Sequence, residues 1–330
     1  MWVGLRPGFE PGTSGSTAPR SPGLSYRSHQ VVWVLSVFKL FRQTSHGSSF
    51  GQFRCSSSLA VFYVVTTLFL CFQSYICGCC VLSEEEFRII VEYPSGRVFS
   101  RILEMISSIV DEALFTFSSD GLRIKALDPA QVALVSVYVP SSSFLTYDVV
   151  EETSVGVNLS NLMRTLPKPK KSDKVVLRAG EDFYEFLIES VTVRRYRYRS
   201  IEVPVSEVPE ISLEFKVRGS VYAAACKTAL NDLRGSGTIV FEASDNQVLK
   251  LLAPEIGGEV SFSAMSGSLI ELEVDESSKS SYDERYIIKV LPLCEVTDAV
   301  KIEFSSDQPI RLTFNLPGGE LVEYLSAPKA

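Results

Sequence analysis

VFSRILEMISSI (98–109) and YAAACKTALNDL (222–233) decide how the rest of the chain is read. In the first, Val98, Ile102, Met105, Ile106 and Ile109 recur at the spacing of an amphipathic helix. Arg97, Arg101, Glu104 and Ser108 take its other face. In the second, Tyr222, Cys226, Ala229, Leu230 and Leu233 each stand 124 positions after one of those five. A helix with one apolar face packs on one side of a sheet. Two such helices at a fixed offset mark a duplicated unit.

The flanking segments repeat too. Strand-like runs follow the first helix at ALFTFSS (113–119), GLRIKAL (121–127) and VALVSVYVP (132–140). A shorter helix is predicted over NLSNLMRTL (158–166), stopped by Pro167 and Pro169. DKVVLRAG (173–180) and FYEFLIES (183–190) then read as a strand pair around a turn. After Gly219 and Ser220 the order recurs: the second helix, then GTIVFEAS (237–244), QVLKLLAP (247–254) and EVSFSAM (259–265). A second short helix is predicted over LPLCEVTDA (291–299), and VKIEFSSD (300–307) and IRLTFNL (310–316) close the unit. Between the halves, SIEVPVSEVPE (200–210) carries two prolines and three glutamates and reads as an exposed, extended linker. The expected class is α+β: two similar domains, 84–199 and 211–330, each with two helices on antiparallel sheets, joined by a connecting loop at 200–210.

Residues 1–83 are a different material. The chain has 330 residues, 45% hydrophobic and 22% charged, which excludes collagen-like, coiled-coil and wholly disordered classes. Of its net charge of −7, residues 1–83 contribute +5, so the remainder carries −12. Both histidines (His29, His46) and five of seven cysteines also lie in that first part. Residues 1–30 are rich in Gly, Pro, Ser and Arg and cannot bury enough apolar surface to offset their ordering entropy. Ser58–Leu82 is long enough for a membrane span, but Gln73 and Ser74 interrupt it. Cys77, Cys79 and Cys80 lack the two separated pairs usual at a zinc site. RPGFEPGTSGSTAPRSPG (6–23) resembles the conceptual translation of a transfer-RNA gene. The segment is therefore expected to be disordered or not natively translated, with synthesis starting at Val81 or Leu82, and membrane anchoring is not expected.

Little in the body suggests chemistry. Residues 84–330 contain no histidine, which removes His-based catalytic triads and the commonest metal ligand. No phosphate-cradling glycine loop occurs. Cys226 and Cys294 sit in apolar helical patterns and read as buried small residues. The acidic runs at 84–86, 271–275 and 283–284 read as solvated faces. No enzyme and no cofactor is expected. The competing readings are a membrane-anchored module and a metal-dependent DNA-processing enzyme.

IKALDPAQVALV (124–135), VGVNLSNLMRTL (155–166), SIEVPVSEVPE (200–210) and VEYLSAPKA (322–330), in this order and spacing, resemble the DNA sliding clamps of archaea and eukaryotes, the proliferating cell nuclear antigen family. The resemblance spans residues 86–330. It implies a clamp fold assembled into a trimeric ring, helices lining the hole and sheets outside. It implies a processivity factor for replication and repair that encircles duplex DNA without reading its sequence. By the same resemblance the partners are other clamp subunits, in a homotrimer or heterotrimer. DNA polymerase, the clamp loader replication factor C, flap endonuclease and DNA ligase would dock through short peptide motifs. The implied location is the cytoplasm of an archaeal cell, at the nucleoid.

Residues follow from the same source. Arg97, Arg101, Arg164, Lys168, Lys227, Arg234 and Lys289 are expected to face DNA; of these, Arg101, Arg164, Lys227 and Lys289 match basic positions of the family. The partner-peptide pocket is expected at Leu127, Val132, Val208, Pro209, Pro309, Tyr324, Ala327 and Pro328. VEYLSAPKA has one residue more than the family's usual YLAP form, which changes the side chains presented. VRRYRYR (193–199) alternates Arg195, Arg197 and Arg199 with Tyr196 and Tyr198, an edge-strand pattern. The family pairs this strand with a neighbour's strand near 259–265, here through Val260 and Phe262. Its arginines suit an acidic neighbour, as in a heterotrimer.

Overall fold

The computed structural model describes residues 87–203 and 213–329, all within one unit, Val81–Ala330. The expectations for the N-terminal extension, Val208 and Pro209 lie outside the described residues. Among the described residues no helix is long and apolar enough to cross a membrane.

Two runs of elements follow one order. The first is β1 (Ile89–Tyr93), α1 (Gly96–Ser107), β2 (Glu112–Ser118), β3 (Gly121–Leu127), β4 (Ala133–Pro140), β5 (Thr146–Val149), β6 (Thr153–Asn158), α2 (Leu159–Thr165), β7 (Lys174–Ala179), β8 (Phe183–Glu189) and β9 (Val193–Arg199). The second is β10 (Val217–Tyr222), α3 (Ala223–Asp232), β11 (Thr238–Ala243), β12 (Val248–Ala253), β13 (Gly258–Ser263), β14 (Leu269–Val274), β15 (Ser278–Asp283), α4 (Glu284–Ile287), β16 (Ala299–Phe304), β17 (Ile310–Asn315) and β18 (Leu321–Ser326).

Pairing repeats with the order. Strands β5-β1-β7-β8-β9 form one sheet, and their counterparts β14-β10-β16-β17-β18 lie in the same sequence in another. Likewise β6-β2-β3-β4 matches β15-β11-β12-β13. At the seam β18 pairs antiparallel with β4, from Leu321 opposite Tyr138 to Ser326 opposite Ala133. That pairing fuses two of the four sheets into nine strands. The counterparts of the seam strands, β9 and β13, are left as edges, each with one strand partner among the described residues.

Strand burial alternates where one face meets the core, as in β4, whose residues are alternately buried and half-buried. Helix α1 buries Phe99, Ile102, Leu103, Met105 and Ile106, so its apolar face is wider than the sequence stripe. Val98 is only partly buried and Ile109 lies past the helix end. Helix α2 is capped by Asn158, whose side chain accepts from the Asn161 N–H at 2.8 Å. Gly156 lets the connecting segment begin close to β6. A Cβ there would lie 1.8 Å from the Ile201 carbonyl oxygen, and the Ile201 N–H donates to the Gly156 carbonyl at 3.1 Å.

Two expectations are corrected. Tyr222 is not on the buried helix face: it ends β10, and strand alternation turns it outward, 49% exposed. Residues 291–299 are not one helix. Helix α4 passes into 3₁₀ turns at Ile288–Val290 and Leu293–Glu295. Pro292 has no N–H for the Ile288 carbonyl, so an α-helix cannot run through it.

Candidate nucleic-acid interface and docking surfaces

The helices form one row. Helix α1 packs against α2 on one side and against the Leu293–Glu295 turn on the other, and that turn packs against α3. Their apolar sides are buried, so their polar sides share a surface. A groove of about 440 Å³ runs there, lined by Arg101, Lys227, Arg234, Arg285 and Lys289 with Glu104 and Glu295 among them. Four of the seven cations expected to face DNA therefore line one groove, and Arg97 reaches it through Glu295 at 3.7 Å. Arg164 and Lys168 do not line it. Arg164 donates to Asn161 at 3.2 Å and faces a separate hollow of about 630 Å³ with Arg197 and Arg199. Lys168 lies 3.6 Å from Glu104.

The groove's electrostatics follow from its neighbours. Lys289 belongs to the 3₁₀ turn after α4 rather than preceding a helix, and its Nζ sits 4.6 Å above the Tyr286 ring. Burial lowers its pKa from the usual lysine value, opposed by the charge of Asp128. The Glu295 carboxyl is held below the usual range, first by the hydrogen bond from Lys227, with burial opposing and the charges of Arg101, Lys227 and Arg97 adding. The sequence reading missed Arg285 and Glu295. Glu295 sits in a turn that the pattern read as helix, and its partners are remote in sequence.

A second surface gathers around the loop between β3 and β4. Asp128 accepts from the backbone N–H groups of Val132 and Ala133, both at 2.6 Å, and from the Tyr286 hydroxyl at 3.0 Å. These bonds hold its carboxyl below the usual aspartate range, although burial, the largest single influence, acts the other way. The C-terminal tail lies alongside: the Ala327 N–H donates to the Val132 carbonyl at 2.8 Å and the Lys329 N–H to the Ser281 carbonyl at 2.7 Å. Leu127, Val132, Pro309, Ala327 and Pro328 are partly buried. Leu127 also lines a hollow of about 290 Å³ with Leu114, Thr116, Arg123, Lys125 and Val203. Tyr324 is a correction. Its side chain is 0% exposed, with its hydroxyl donating to the Tyr286 carbonyl at 2.9 Å, so it supports the surface from below and cannot line a pocket.

The two edge strands differ in chemistry. On β9, Val193, Arg195, Arg197 and Arg199 are exposed and alternate with half-buried Arg194, Tyr196 and Tyr198. Arg197 stacks 3.8 Å from the Phe183 ring centroid, and the Tyr198 and Thr165 hydroxyls share a hydrogen bond of 2.7 Å. On β13, Val260 is half-buried, while Phe262 is 1% exposed. Phe262 packs inward into its own chain, so only its backbone is open to a neighbour.

Comparison with known proteins places this geometry. Residues 89–207 match the family model described as proliferating cell nuclear antigen, N-terminal domain. The chain is 37% identical over 239 residues to DNA polymerase sliding clamp 1 of Aeropyrum pernix, covering 71% of this chain and 97% of that protein. Two solved structures are similar at 27% identity. One is the PCNA2–PCNA3 complex from Sulfolobus tokodaii, with TM-score 0.69 over 73% of this chain and 99% of that one. The other is PCNA from Thermococcus kodakaraensis, with TM-score 0.68 over 73% and 100%.

Proposed function

This chain belongs to the DNA polymerase sliding clamp family, and on that premise we propose that it is a replication clamp: a ring subunit that encircles duplex DNA and tethers DNA polymerase. The carrying observation is the row of helices and adjoining turns that gathers Arg101, Lys227, Arg234 and Lys289 around one groove. Such a surface attracts phosphates without reading bases. A tethered polymerase rebinds as an intramolecular partner, which raises processivity with no chemistry by the clamp. Residues 84–199 and 211–330 are its two domains, with 200–210 as the connecting loop.

Internal symmetry supports ring closure. β9 and β13 are the counterparts of β18 and β4, so a neighbour's β13 can pair with β9 as β4 pairs with β18. Counting from the strand starts and copying the seam register puts Tyr196 opposite Val260 and Arg197 opposite Glu259. Val191 and Met265, fully exposed in the single chain, lie in the turns just beyond the strand ends that this register brings together. The seam is head-to-tail, and such a contact makes a closed ring when its rotation closes. A like subunit satisfies both pairs, and a heterotrimer with a more acidic neighbour uses the same edge.

The surface at Leu127, Val132, Pro309, Ala327 and Pro328, with Val208 and Pro209, is the docking place for short peptide motifs. Its users are the polymerase, replication factor C, flap endonuclease and DNA ligase. Primer extension on a long, singly primed circular template tests the function. At salt that makes the polymerase distributive, this protein with its loader lengthens the products. Products of unchanged length refute the clamp role.

A further inference from the structure

Cations meant for phosphate are most useful when nothing else holds them, yet here several are held. The Lys227 Nζ donates to Glu295 Oε1 at 2.8 Å. Glu295 Oε2 lies 2.5 Å from Arg101 and 3.7 Å from Arg97. Helix α1 supplies the two arginines and α3 the lysine, so this carboxylate of the second run joins cations from both runs of the chain. Its side chain is 23% exposed and lines the groove. Glu104 takes the other side of Arg101 and, at 3.6 Å, Lys168. Arg234, on the same groove, has no partner among the described residues.

We propose that Glu295 stands in for a DNA phosphate: it holds Arg97, Arg101 and Lys227 while the groove is empty, and a duplex displaces it to reach them. The inference rests on the groove being the DNA-facing surface. Its physical content is an exchange. A phosphate gains only the difference between two similar ion pairs, and the partly neutralised cations contribute less counterion release. Arg234 makes first contact, and Glu295 keeps the hold weak enough to slide. Glu295 is thus a positioning residue that sets how many cations this subunit offers.

The test is Glu295→Gln in the full chain, which keeps the shape and removes the charge. Affinity for a fluorescent duplex is measured by anisotropy across a salt series. Binding is expected to tighten several-fold, with a log–log salt slope steeper by about 1 to 3 per subunit, about 0.9 for each further phosphate neutralised. Glu295→Asp keeps the charge and should stay close to the wild-type slope. If Glu295→Gln fails to fold, Glu295→Ser, which leaves room for water beside the cations, carries the same expectation. The Arg101→Glu/Lys227→Glu double variant runs in parallel. If it loses affinity while Glu295→Gln keeps the wild-type slope, the stand-in role is overturned and the groove assignment survives. If neither variant changes binding, the groove is not the DNA surface and both readings fall.

Discussion

Replacing Tyr324 with Ala separates a core residue from a pocket residue. Tyr324 sits in β18 between Leu312 of β17 and Val135 of β4, at the seam joining the two runs. Its ring is fully buried and its hydroxyl bonds the Tyr286 carbonyl at 2.9 Å. Truncating a buried aromatic to Ala costs about 3–5 kcal/mol. The lost hydroxyl leaves the Tyr286 carbonyl without that donor, adding about 1 kcal/mol. A domain of this size loses about 2–4 °C in Tm per kcal/mol, so the expected drop is roughly 8–24 °C. Tyr324→Phe keeps the ring and should lose only about 2–4 °C. Thermal melts followed by circular dichroism read the stability, and calorimetry well below Tm reads partner-peptide affinity. A Tyr324→Ala protein that melts with the wild type but has lost peptide binding would refute the core placement.

Further outcomes follow from other sites. Arg197→Glu should weaken subunit association in light scattering, and adding Glu259→Arg should restore it by re-forming the pair predicted by the seam register; no rescue contradicts that register. Pro328→Ala with Pro309→Ala should lower peptide affinity in calorimetry while leaving the melt within a degree or two, and unchanged affinity removes them from the pocket. Asp128 has a depressed pKa in the folded chain, so it contributes stability above its unfolded pKa of about 3.9. That stability is lost as pH falls through the lower folded value, and Asp128→Asn should flatten this part of an acid titration followed by denaturant melts. The hydrogen bond with Cys294, with burial, pushes the Cys226 thiol up, and both Cys226 and Cys294 are buried, so mass-spectrometric mapping should find the two unalkylated in native protein and modified after denaturation.

Much of the fold was legible because it is written in short-range pattern. The α1 stripe, the α2 segment ended by Pro167 and the hairpins at β2–β3, β7–β8 and β11–β12 each announce themselves locally. The duplicated order was readable because the two runs sit at a nearly constant offset. What escaped depends on partners elsewhere. β15 (SKSSYD) has no apolar alternation, and Ser278 and Ser280 are buried only because β11 pairs with it. β14 (LIELEV) looked like an acid run because its glutamates alternate with its apolar residues. Tyr324 and Phe262 sit in strands whose inward and outward faces the sequence left open. The cations on α1 and α3 were legible as helix-face charges. Glu295 was not, since its ligands arrive from two distant helices.

The central claim is topological: DNA is held because the ring encloses it. The protein, with its sister subunits where it requires them, is loaded onto nicked circular duplex by its clamp loader and ATP. After gel filtration, the plasmid is linearised with a restriction enzyme. The account predicts that the clamp stays with the circle at moderate salt and runs off once the ends are opened. Equal retention on circular and linear DNA would contradict it and point to ordinary surface binding.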